Sequence, residues 1–96
     1  MLNPIRSKIL DFIVESNRFC GKEIKGKHEI CTFANMFVKN GKLAVLFSKE
    51  KIYTIAVIFT VNGKEKAKIK AEGNFNDAYD KITEDLQEVL NVIDNR

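Results

Sequence analysis

Lys64, Lys66, Lys68 and Lys70 recur at every second position of the stretch Lys-Glu-Lys-Ala-Lys-Ile-Lys-Ala. In an extended strand that spacing turns the four ammonium groups to one side, about 6.5–7 Å apart. Such a ladder has a pitch comparable to that of phosphates along a nucleic-acid backbone. The same ladder is also a common way to keep an edge strand from pairing with another chain, its lysine stems lying over apolar neighbours. A second basic group, Lys22, Lys25 and Lys27, lies in the connection 20–29, with two glycines and the only histidine, His28. A loop of this kind either meets phosphate or is a solvated linker.

Little else in the chain offers chemistry. Cys20, His28 and Cys31 could supply three metal ligands, but there is no Cys-x-x-Cys pair and no fourth ligand at a recognisable spacing. The expectation is no metal and no cofactor, with two reduced, partly buried thiols. No phosphate-binding glycine loop, nucleophile elbow or metal-binding acidic loop is present. Catalysis needs polar groups that converge, so the sequence predicts a binding module and not an enzyme.

The lysines must be positioned by a hairpin. Ile52 to Val61 is rich in β-branched and aromatic residues, and Asn62-Gly63 is a strong turn signal. A two-residue turn would pair Val61 with Lys64, Phe59 with Lys66 and Val57 with Lys68, mixing large apolar residues with cations. A three-residue loop with Gly63 as a bulge shifts the pairing by one. Tyr53, Ile55, Val57 and Phe59 then share a face with Ala67, Ile69 and Ala71. Thr54, Ala56, Ile58 and Thr60 share the other with all four lysines. Because a one-residue slip exchanges the faces, the hydrophobic pattern selects the bulged loop.

Upstream, Asn3-Pro4 reads as a helix start, and Ile5, Ile9, Phe12, Ile13 and Ser16 form one face of a helix over about 4–19, ended by Gly21. Ile30 to Val38 and Leu43 to Phe47 read as strands joined by Lys39-Asn40-Gly41. A two-residue loop there groups Ala34, Met36 and Val38 with Leu43, Val45 and Phe47. A bulged loop would put Phe33 and Phe37 with that group and bury the Asn35 amide, so the first is preferred. It leaves Phe33 and Phe37 on the open face, where aromatics beside lysines would form a base-stacking platform. Against that, aromatics are more often core than platform.

Asn74 and Asp77 form a capping arrangement, and Phe75, Ala78, Tyr79, Ile82, Leu86, Val89, Leu90 and Ile93 keep helical spacing over about 75–93. That helix spans roughly 28 Å, against about 23 Å for a seven-residue strand. Its last turn could therefore overhang the sheet and offer Val89, Leu90 and Ile93 to a partner, or pack on the first helix.

The expected fold class is α+β. The expected architecture is a two-layer sandwich in the order helix, four-stranded antiparallel meander, helix, with both helices on one face. At 96 residues, 45% hydrophobic and 30% charged, a single domain over 1–96 is expected. Carboxylates interrupt the N-terminal apolar run Ile9–Glu15, which argues against a signal peptide or membrane span and places the chain in the cytoplasm. The net charge of +3 is unevenly spread: residues 1–72 carry a surplus of seven positive charges and residues 73–96 a surplus of four negative ones. That layout suits an anionic partner for the basic body, or antiparallel pairing of two copies.

Val61-Asn62-Gly63, closing one strand, and Ala71-Glu72-Gly73, closing the next before the Ala78-Tyr79-Asp80-x-Ile82 helix, resemble the end of the bacterial ribosome hibernation-promoting family. The likeness covers residues 57–90 and consists of turn glycines and core positions. It implies a β-α-β-β-β-α fold and binding to the small ribosomal subunit. This chain departs in having no strand before its first helix and an acidic last helix, and no binding residue carries across. The element order also resembles double-stranded-RNA-binding domains, but those open their last helix with lysines where Asn74, Asn76, Asp77 and Asp80 stand here. That reading is rejected.

Two functions follow as expectations. One is RNA or ribosome binding through the basic sheet face, with Lys64, Lys66, Lys68 and Lys70 on phosphates and Lys22, Lys25 and Lys27 assisting. The other is a protein–protein interaction module, a small regulator or inhibitor that acts on a protein partner or self-associates. Thirteen lysines, eleven isoleucines and nine asparagines point to an AT-rich genome, and a phage or mobile-element origin would fit.

Overall fold

Six elements follow one another as the periodicities require: α1 (Pro4–Glu23), β1 (Ile30–Val38), β2 (Gly41–Lys49), β3 (Tyr53–Val61), β4 (Lys64–Gly73) and α2 (Phe75–Asp94). The computed structural model describes residues 4–23, 30–38 and 41–95, without side chains at 19–23, 30 and 31. The strands form one antiparallel meander in the order β1-β2-β3-β4, and both helices cover the same face. α1 lies over β1 and β2, and α2 over β3 and β4. The expected α+β sandwich is the observed one.

The core is what alternation and helical spacing leave facing inward. Leu43, Val45 and Phe47 of β2 and Ile55, Val57 and Phe59 of β3 are fully buried, beneath Ile9 and Ile13 of α1 and Ile82 and Leu86 of α2. One polar contact bridges the helices and another joins the two layers. The Arg6 guanidinium donates to the Thr83 carbonyl at 3.1 Å, bridging the helices, and the Thr32 hydroxyl donates to Ser16 Oγ at 2.8 Å, holding β1 to α1. Asn74 caps α2 as expected, accepting from the Asp77 amide at 2.9 Å.

Three expectations are corrected. First, α1 continues through Gly21 to Glu23, because a lone glycine weakens a helix by only about 1 kcal/mol and does not by itself stop one. Second, Val89, Leu90 and Ile93 are not offered to a partner: they are 0%, 2% and 1% exposed. The sheet beneath them is longer than assumed. β4 runs 10 residues, roughly 33 Å, and matches the 20-residue α2 at about 30 Å.

The third correction concerns the β3–β4 hairpin. Its turn is the two-residue Asn62-Gly63, with φ of 52° and 79°, the left-handed pair of a type I′ turn. Val61 pairs with Lys64 and Thr60 with Glu65, while the next pair is Phe59 with Ala67. Lys66 is the extra residue, a bulge placed inside β4 and not in the turn. The turn chemistry and the hydrophobic alternation ask for registers one residue apart, and the bulge satisfies both. From Ala67 onward the faces are those expected, but Lys64 lies opposite Val61 on the helix-bearing side.

Gly41, at the start of β2, shows how tightly the sheet is packed at this end. A Cβ there would lie 2.4 Å from the Thr60 carbonyl oxygen and 2.6 Å from the Phe59 ring. Gly41→Ala should lower stability by about 1–3 kcal/mol, read as a fall in the urea midpoint at unchanged slope.

Candidate functional site

The face of the sheet away from the helices is built from one alternate set of residues on each strand. The register sets them in rows. Phe37, Lys42, Thr60 and Glu65 make one row; Asn35, Ala44, Ile58 and Lys68 the next; Phe33, Leu46, Ala56 and Lys70 the third. Each row therefore begins at the β1 edge with an aromatic or amide and, in two of the three, ends at the β4 edge with a lysine. With strands roughly 4.8 Å apart, the two ends of a row are about 14 Å from each other.

Between the edges the floor is apolar. Leu46, Ala56 and Ile58, with Ser48, Thr54, Lys68 and Lys70, line an open hollow of about 250 Å³. A second hollow of about 360 Å³ is lined by Phe37, Gly41, Lys42, Thr60, Asn62 and Gly63. Phe33 is 54% and Phe37 90% exposed, so both rings stand in solvent at the β1 edge. The two-residue β1–β2 connection put them there, as the pairing of Val38 with Gly41 requires.

Charge differs between the open sheet face and the outer surface of α2. Lys42, Lys68 and Lys70 lie on the open face against Glu65 and Glu72, and Lys70 reaches Glu72 at only 3.9 Å with both side chains about half exposed. A pair of that length and exposure contributes little. The outer surface of α2 carries exposed Asp77, Asp80, Glu84, Glu88 and Asp94, and its Lys81 is paired with Asp85 at 3.2 Å. An approaching anion is thus repelled by the outer surface of α2.

Of the lysines proposed from sequence, the structure brings Lys68 and Lys70 together over the hollow. Lys66 is the exposed bulge residue beside them, and Lys64 is turned to the other side. Lys25 and Lys27 lie outside the described residues, as does the side chain of Lys22. So do His28 and the side chains of Cys20 and Cys31, and among the described residues no group of three metal-ligating side chains forms. No described helix is long and apolar enough to cross a membrane. Leu46, Ser48 and Lys42 were missed from sequence, although the alternation of β2 assigns them to this face once Leu43, Val45 and Phe47 are set inward. Comparison with protein families, curated proteins and solved structures gives no match.

The two faces should respond oppositely to substitution. Phe37→Ser should change stability by no more than about 0.5 kcal/mol, whereas Phe47→Ala, emptying a fully buried site, should cost about 3–5 kcal/mol; parallel urea titrations check both.

Proposed function

We propose that the open sheet face binds single-stranded nucleic acid, and that RNA, as in the ribosomal setting suggested by the likeness of residues 57–90, is its natural form. The observation that carries this reading is the common facing of Phe33 and Phe37 with Lys68 and Lys70, separated by an apolar floor. Aromatic rings give flat surfaces on which bases stack, whatever their sequence, and ammonium groups at strand pitch neutralise successive phosphates. A nucleic acid whose backbone follows β4, with its bases turned over the floor toward β1, would meet both. Lys66 extends the cationic edge, Lys42 on β2 adds a charge beside Phe37, and the acidic outer side of α2 disfavours the ligand there.

A second reading, a protein partner covering the same face, is supported by the apolar centre formed by Leu46, Ala56 and Ile58. The two separate on salt dependence, because counterion release governs the first and apolar burial the second.

Fluorescence anisotropy with labelled oligoribonucleotides tests the proposal. Phe33→Ala should weaken binding by about 1–3 kcal/mol. Joint replacement of Lys68 and Lys70 by Gln should reduce the slope of log affinity against log salt by about 1.4, two single-strand contacts. Lys64→Gln, on the other side, should change neither. Salt-independent binding, or none at low salt, contradicts the nucleic-acid reading.

A further inference from the structure

Among the described residues the sheet has two free edges, and they are built differently. β4 carries Lys64, Lys66, Lys68 and Lys70 and is bent by a bulge, two devices that stop an edge from recruiting another strand. β1, Ile-Cys-Thr-Phe-Ala-Asn-Met-Phe-Val, has no charged residue and no proline along its nine residues. It pairs with β2 along its whole length without a break, and the Ser16–Thr32 contact fixes it to α1. Among the described residues no element lies beyond it. A long, regular, uncharged edge presents alternate N–H and C=O groups as a ready template for another chain.

We infer that β1 is a dimerisation edge, pairing antiparallel with β1 of a second copy about a two-fold axis through Ala34. An uncharged edge of this regularity stays open unless it is covered, and a second copy covers it in only one arrangement that leaves protected edges outside. Pairing β1 with the partner's β4 would leave the same two unlike edges at the ends and polymerise without closing. Pairing two β4 edges would set lysine ladders side by side. Pairing β1 with β1 is isologous and leaves outside only the lysine-bearing, bulged β4 edges, which resist further pairing. Full overlap of the nine residues puts Ala34 opposite its own copy, Phe33 opposite Asn35, and Phe37 opposite position 31. No charge meets a like charge. The 90% exposed Phe37 gains a neighbour, and an eight-stranded sheet results, its open face carrying phenylalanines at the centre and lysines at both ends.

The test is the solution mass of the intact chain by light scattering, with wild type, Asn35→Lys with Phe37→Lys, and Lys68→Ser with Lys70→Ser. Wild type should give twice the 11.0 kDa chain mass. The β1 variant should give the single mass with an unchanged circular dichroism spectrum, and the β4 variant should stay dimeric. A monomeric wild type, or a dimer unaffected by the β1 substitutions, overturns the inference. In case the β1 variant does not fold, Ala34→Cys in a chain with Cys20→Ser and Cys31→Ser gives a second reading. Its residue 34 should meet its copy at a Cα separation of roughly 4.5–5.5 Å, within disulfide reach. An oxidised, cross-linked dimer supports the arrangement, and failure to cross-link contradicts it.

Discussion

Alternation in the β3–β4 hairpin is the constraint on which the rest depends. Ile55, Val57 and Phe59 can be buried only if Ala67, Ile69 and Ala71 lie beside them and Lys68 and Lys70 point the other way. Asn62-Gly63 imposes a tight turn that, continued regularly, would bury the lysines instead. The bulge at Lys66 reconciles the two. Without it, α2 would lie on ammonium groups, at a desolvation cost beyond anything its own apolar stripe could offset. With it, the helices take the apolar face and the lysines remain in water.

The consequence is a molecule with two unlike sides. Burial of one side by helices is the ordinary solution for a sheet of this size. The other side stays open, and its composition is neither a plain polar surface nor a core. Two phenylalanines stand at one edge, lysines at the other, and Leu46, Ala56 and Ile58 lie between. Exposed aromatics of this kind are unusual on a monomer that contacts nothing. Together with the acidic outer surface of α2, they direct attention to the sheet as the contact surface.

Most of the fold was legible in the sequence because its signals agreed: proline opening α1, Asn74 capping α2, and alternation in β2 and, apart from the buried Ala56, in β3. The facing of β1 followed from a single consideration, that Asn35 should not be buried, and the pairing of Val38 with Gly41 gives that result. What was not legible was local. Where turn chemistry and alternation disagreed, a bulge within β4 was as good a resolution as one in the turn, and only the pairing distinguishes them. The fate of Val89, Leu90 and Ile93 depended on how far β4 extends, and the alternating lysines gave no marker for its end. Of the candidate site, Lys68 and Lys70 were visible as a ladder, whereas the hollow between them and Leu46 needed the registers of three strands at once.

The most direct measurement is a titration of the labelled protein with a short single-stranded RNA, followed by backbone and methyl nuclear magnetic resonance. The signals of Phe33, Phe37, Leu46, Ala56, Ile58, Lys68 and Lys70 should shift together along one isotherm, while those on the outer surface of α2 stay in place. Shifts confined to α2, or none at any concentration of RNA, would contradict the assignment of the open sheet face as the binding surface.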